Sequence, residues 1–271
     1  MGRLQAFSVA LVISLGSGAS LADAAAIPAP EALEQDGARP VALTVIEPHE
    51  RAPGHPVAVD YLAFPAPVVL SAALGRDWGT KAKTIEFRAR DGYVSRIDVR
   101  RLMSGRAYLA FARADRSPFT VDNLDQHEKN LSLGPYYLVW DNRRDADLLA
   151  EGARNWPYQV FDVSISQGSD DALRPPGFDP ALEPSLTNVK AYCLTCHKVN
   201  GFGGDKVEGN LALVARDMTA AEFVKWTLEP SAVRPETTMP PLSTTLAEPE
   251  RRAIARSIYE YLSHVPIAAG R

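Results

Sequence analysis

Only two cysteines occur among the 271 residues, so no framework of disulfides staples the chain and no second cysteine pair completes a structural zinc site. Each folded unit must rest on an apolar core. No apolar run is long enough to anchor the chain across a bilayer. Lys and Arg number 29 against 33 Asp and Glu, a formal charge of −4. With no basic cluster and no aromatic-interleaved Lys/Arg stripe, nucleic acid is not an expected partner. Glycine-rich phosphate loop, serine elbow and zinc-protease helix motif are missing as well.

What is present begins with Met1-Gly2-Arg3, an apolar stretch from Ala6 to Leu15, and small residues ending at Ala22-Asp23-Ala24. This order predicts a secretory signal peptide over 1–24 and a periplasmic protein with no transmembrane segment after signal removal. The composition, 46% hydrophobic and 23% charged, is that of a folded chain.

Both cysteines fall in Cys193-Leu194-Thr195-Cys196-His197. Cys-x-x-Cys-His is the attachment sequence of a c-type haem. Each thiol can add to one vinyl group, and the adjacent imidazole can turn onto the iron. Two other readings compete: a thioredoxin-type dithiol, which needs a buried strand that residues 180–192 do not offer, and a disulfide or zinc half-site. Export and haem attachment agree, because bacteria attach this cofactor outside the cytoplasm.

A capped helix over Ser185–Tyr192 is expected to lead into the motif. Val199–Asp205 follows as a glycine-rich loop suited to passing a flat porphyrin edge. Thr219…Glu222 and Thr245…Glu248 fit capping boxes that open two further helices. In the second, Ile254, Ile258, Tyr261, Leu262 and Val265 recur at helical spacing. Between the helices lies Arg234-Pro235-Glu236-Thr237-Thr238-Met239-Pro240-Pro241-Leu242. Prolines stiffen this loop, and Met239 is the expected sixth ligand, since a thioether opposite imidazole raises the reduction potential. Met218 reads as core filling and His264 as water-facing or capping carbonyls. His127 lies in the other domain, and His49 and His55 fall in a proline-containing loop.

Together, CLTCH, the middle helix, TTMPPL and ERRAIARSIYEYLSHV resemble a small class I cytochrome c over 189–266. The resemblance implies an all-α cytochrome c fold with crossed first and last helices and one covalent haem c. It implies thioether sites at Cys193 and Cys196, axial iron ligation by His197 and Met239, and electron passage at an exposed haem edge.

The first half reads as strands separated by turns: Val41–Ile46, Pro67–Leu70, Thr84–Ala89, Tyr93–Val99, Tyr108–Arg113, Tyr136–Trp140 and Tyr158–Ile165. Asp91-Gly92 predicts a tight hairpin, and 145–153 a short helix. TIEFRARDGYVSRIDV, LGPYYLVWDN and WPYQVFDVSI resemble the molybdopterin-binding domain of the sulfite oxidase type. That family binds molybdenum through a cysteine thiolate, and both cysteines here belong to the haem motif, so molybdopterin is not expected. The polar run Asp122–Asn130 reads as a solvated loop, as do Arg143 and Arg144.

The expected fold class is therefore two domains, a strand-rich α+β sulfite-oxidase-like half and a C-terminal all-α cytochrome c fold. The expected organisation is a signal peptide over 1–24, a strand-rich, cofactor-free unit over 25–168, a Pro/Gly/Asp-rich linker over 169–184, and a haem unit over 185–271. The expected function is electron transfer between a donor and an acceptor protein, with the first domain serving docking. The alternative is a molybdopterin-dependent oxidoreductase passing substrate electrons to its own haem; a sensor or peroxidase with an open iron site is a third reading.

Overall fold

The computed structural model describes residues 24–52, 55–166 and 170–268, so the expected signal peptide lies outside the described residues except for Ala24. The first half opens with β1 (Ala25–Ala26), α1 (Pro30–Gln35), β2 (Val41–Ala52) and β3 (His55–Pro65). It continues through α2 (Ala66–Leu74), α3 (Trp78–Lys81), β4 (Thr84–Ala89), β5 (Val94–Asp98), α4 (Val99–Leu102) and β6 (Ala107–Arg113). It ends with β7 (Thr120–Asn123), β8 (Glu128–Ser132), β9 (Tyr137–Trp140), α5 (Ala146–Ala150) and β10 (Val160–Ile165).

Two antiparallel sheets result, in the orders β2-β3-β6-β9 and β1-β10-β4-β5, with β7 and β8 as a separate hairpin. Alternation explains them. On β4, Ile85, Phe87 and Ala89 point into the core while Glu86 and Arg88 face outward, the period of two that a half-buried strand requires. The Asp91-Gly92 turn reverses the chain with Gly92 at φ 88°, a conformation that suits glycine. Val45, Tyr61, Phe64, Leu109, Tyr137 and Leu138 fill the common core.

Three expectations fail here. Asp122–Asn130, read as a solvated loop, instead ends β7, makes a 3-10 turn and starts β8, which pair as a hairpin. Pro67–Leu70 is helical, within α2, because APVVLSAAL is apolar without alternation and carries a proline in its first turn, a position that favours helix. His49 and His55 stand on β2 and β3 rather than in a loop.

A second core gathers α6 (Glu183–Tyr192), β11 (Lys198–Val199), β12 (Phe202–Gly203), α7 (Leu211–Arg216), α8 (Ala220–Leu228), α9 (Pro230–Val233) and α10 (Glu248–His264). Residues 170–173 and 180–182 are 3-10 turns that seat Leu173 and Leu182 in this core. Helix α6 packs on α10 through Leu186, Val189, Ile258 and Leu262, with Ser185 Oγ bonded to Glu260 at 3.1 Å.

The expected fold class is overturned. The second half is not a separate all-helical cytochrome domain: it carries the β11–β12 hairpin, bridged onward from Lys198 to Asn210, and is hydrogen-bonded into the first half. Asn200-Gly201, at φ 51° and 82°, form the kind of two-residue turn that pairs strands. Val94 N donates to Thr195 O at 2.9 Å and Asp205 N to Gly92 O at 2.7 Å, so the β4–β5 turn is stitched to the second half by backbone. The Thr219–Glu222 capping box forms. The one expected at Thr245–Glu248 does not: Pro249 in the first turn starts α10 at Glu248, with Ala247 as N-cap.

Candidate functional site

The CLTCH segment leaves α6 as a tight turn. Cys193 N donates to Val189 O at 2.9 Å, Cys196 N to Cys193 O at 3.2 Å and His197 N to Cys193 O at 3.0 Å. A Cβ at Gly203 would overlap the His197 carbonyl, and one at Gly204 the Thr195 carbonyl. The glycine-rich loop therefore lets backbone lie flush on the motif's own backbone, where a porphyrin edge was the expected neighbour. Lys206 completes the clasp, its ammonium 2.8 Å from Asp91 on the β4–β5 turn. Arg96 lies 4.4 Å over the Phe202 ring.

Cys193, Cys196 and His197 all line one cavity of about 1130 Å³ between the two cores, and Met239 lines it from the proline loop. The loop is pinned at three points: Leu242 N donates to Thr227 O at 2.9 Å, Arg251 Nε to Leu242 O at 3.0 Å, and Met239 N to Thr237 Oγ1 at 3.2 Å. Arg251 also reaches Leu228 O at 3.0 Å. Arg251 was not apparent from sequence, since its spacing on α10 reads as an ordinary polar position.

Burial pushes the Cys193 thiol up to about 12, helped by the neighbouring Cys196, and raises Cys196 as well. These are the opposite of the depressed thiols that dithiol oxidoreductases use. Burial lowers His197, which favours the neutral imidazole whose lone pair binds metal. Among the described residues no group of three or more His, Cys, Asp and Glu side chains is placed to hold a metal ion. The donor chemistry of the cavity is two thiols on one turn, an imidazole beside them and a thioether from another loop. That set fits a c-type haem, for which Cys193 and Cys196 would be the tethers and His197 and Met239 the iron ligands. Molybdenum is not fitted: the chain has no cysteine outside the motif.

Other histidines fall elsewhere. His264 is exposed and its Nδ1 lies 2.8 Å from Glu260 O. His127 is exposed, with Nε2 2.9 Å from Ser231 Oγ across the two halves. Met218 packs partly against the second core and also borders the cavity. Arg143 and Arg144 are exposed.

His49 is the residue the sequence reading misplaced. Along β2 the inward positions run Leu43, Val45, Glu47, His49, and the last two are 2% and 9% exposed. Glu47 receives hydrogen bonds from His49 Nδ1 at 2.9 Å, Tyr61 at 2.7 Å and Tyr137 at 2.8 Å. Burial alone would raise its carboxyl, yet the hydrogen bonds from His49 and Tyr61 bring it below the ordinary value. His49 and Tyr158 both border the cavity.

No protein-family model matches the chain, and no curated protein matches it. Among the described residues no helix is long and apolar enough to cross a membrane.

Proposed function

We propose that this chain is a periplasmic monohaem c-type cytochrome in the chemical sense, one covalently held haem, carrying single electrons between a donor and an acceptor protein. The observation that carries the reading is the convergence of Cys193, Cys196, His197 and Met239 on one cavity from separate segments. When bound, the haem supplies a one-electron couple. The residues do the rest. Cys193 and Cys196 would tether it, and His197 and Met239 would supply the nitrogen and thioether that hold its iron, a ligand pair that favours electron transfer over ligand activation.

Rigidity of both ligand segments keeps reorganisation on electron transfer small. His197 is fixed by the turn and by Gly203 pressed against its carbonyl, and Met239 by the Leu242 and Arg251 anchors. The first half supplies one side of the cavity, and its outer surface would present a docking face to a partner.

The test is haem staining of the full-length exported protein after denaturation. Stain should persist in the wild type and vanish in the double variant Cys193→Ser/Cys196→Ser, whose fold is checked by circular dichroism. Wild-type protein without covalent stain would overturn the reading.

A further inference from the structure

The cavity's second wall holds a titratable group that the electron-carrier reading does not use. Glu47 and His49 project from β2 into the first core, on the face that Leu43 and Val45 make apolar. A carboxylate and an imidazole on such a face are costly unless paired, so a pair retained there invites a role.

The hydrogen bonds fix the tautomer. Tyr61 and Tyr137 hydroxyls both donate to Glu47, and burial beside that carboxylate holds both phenols protonated. His49 Nδ1, 2.9 Å from Glu47 Oε1, therefore carries the proton of that contact. Tyr137 OH lies 3.0 Å from the same nitrogen, and the Tyr158 ring stands edge-on at 5.7 Å. Nε2 is the ring's remaining nitrogen, and the ring borders the cavity.

We propose that His49, held by Glu47, is a proton-binding site coupled to the electron that the cavity holds. The inference rests on the haem reading. An electron arriving from the donor adds one negative charge to the cavity; a proton taken from bulk water onto Nε2 offsets it. When the electron leaves for the acceptor, the proton returns to water.

The charged and titratable surroundings are consistent with such a role. From β3 comes Tyr61, with Arg113 of β6 5.7 Å from its ring and Glu50 paired to that arginine. From β9 comes Tyr137. Ahead of β10 comes Tyr158, whose hydroxyl lies 3.5 Å from Glu128 of β8. Tyr93, beside the β4–β5 turn, borders the cavity with its phenol raised by burial. Around the cavity Lys206 is paired with Asp91, and Glu151 with Arg101; Arg154 faces Tyr192, and Asp125, Arg234 and Glu236 also border it. His49 is thus the imidazole of this wall, and its partner carboxylate is already committed.

The experiment uses full-length protein with covalent haem verified by staining, its reduction potential followed by spectroelectrochemistry from pH 5 to 9. In the wild type the potential should fall as pH rises, by up to about 59 mV per unit, the tenfold-per-tenfold limit for one electron and one proton. His49→Gln should remove that slope. Glu47→Gln, which keeps the hydrogen bond to Nδ1, should move the slope to lower pH. A second readout needs no variant: the His49 ring resonances should titrate at higher pH in reduced than in oxidised wild type. An unchanged slope in His49→Gln, a pH-independent wild-type potential, or identical His49 titrations in both redox states would overturn the proposal while leaving the haem reading intact. Lack of covalent haem would overturn the haem reading itself, and this proposal with it.

Discussion

The two walls of the cavity are built on opposite plans. The second core brings soft and aromatic-nitrogen donors, Cys193, Cys196, His197 and Met239, on segments fixed by backbone hydrogen bonds and by glycines that allow close approach. The first core brings a carboxylate, an imidazole and phenols on the inner faces of strands, fixed by hydrogen bonds to one another. One wall suits holding a cofactor and the other suits holding a proton. The join between them is also backbone, at Val94–Thr195 and Gly92–Asp205, so the walls are expected to keep their distance as the charge in the cavity changes.

The largest effect is expected where the second core depends on a single side chain. Asn200 is fully buried, and its amide bonds Ala172 O, Pro266 O, Asn210 Nδ2 and Ala268 N. Asn200→Ala should cost about 3 kcal/mol in denaturant unfolding, since several buried polar groups lose their partner at once. If the variant unfolds like wild type, the β11–β12 turn is not what organises this wall.

Breaking the join comes next. Gly92→Val forces a bulky residue to φ 88° and onto the Asp205 backbone, a strain of about 1–3 kcal/mol. Faster proteolysis between the halves is expected, with covalent haem retained. Loss of haem attachment would mean that the first core helps build the cofactor wall as well as closing it.

A third effect belongs to the first core and is confined to acid. Glu47 has a folded-state value below the ordinary carboxylate value of about 4.3, so the folded state binds fewer protons than the unfolded state in that window. Its contribution is full above the ordinary value and is lost as pH falls through the folded one. Urea unfolding between pH 5 and 3 should show a steeper decline in wild type than in Glu47→Gln, and equal slopes would show that Glu47 is not depressed.

Met239→Ala should change least in stability, less than about 1 kcal/mol, as Met239 is only half-buried. It should still alter both ferric and ferrous spectra. Unchanged spectra would remove Met239 from the iron.

Much of this was legible from spacing. Thr84–Ala89 alternates cleanly, Asp91-Gly92 turns the chain, and CLTCH and the proline-held methionine stand out because their residue types are rare in this chain. The rest depended on long-range pairing. His55–Pro65 alternates at Val57, Val59, Tyr61 and Ala63, yet flanking prolines make it read as loop until β2 pairs with it. Glu47 and His49 look solvated until that pairing assigns their face. The second half was read as a self-contained helical unit because helical spacing is a local signal. The hairpin at Asn200-Gly201 and the bonds to Gly92 and Val94 are decided by backbone contacts between distant segments.

The most direct test of the central claim is the metal and thiol content of the full chain produced in a bacterium that attaches c-type haem, with a molybdoenzyme as positive control. One covalently held iron per chain, no molybdenum and no titratable thiol is the expected result. Two free thiols with no iron, or stoichiometric molybdenum, would contradict the assignment of Cys193 and Cys196 to a haem.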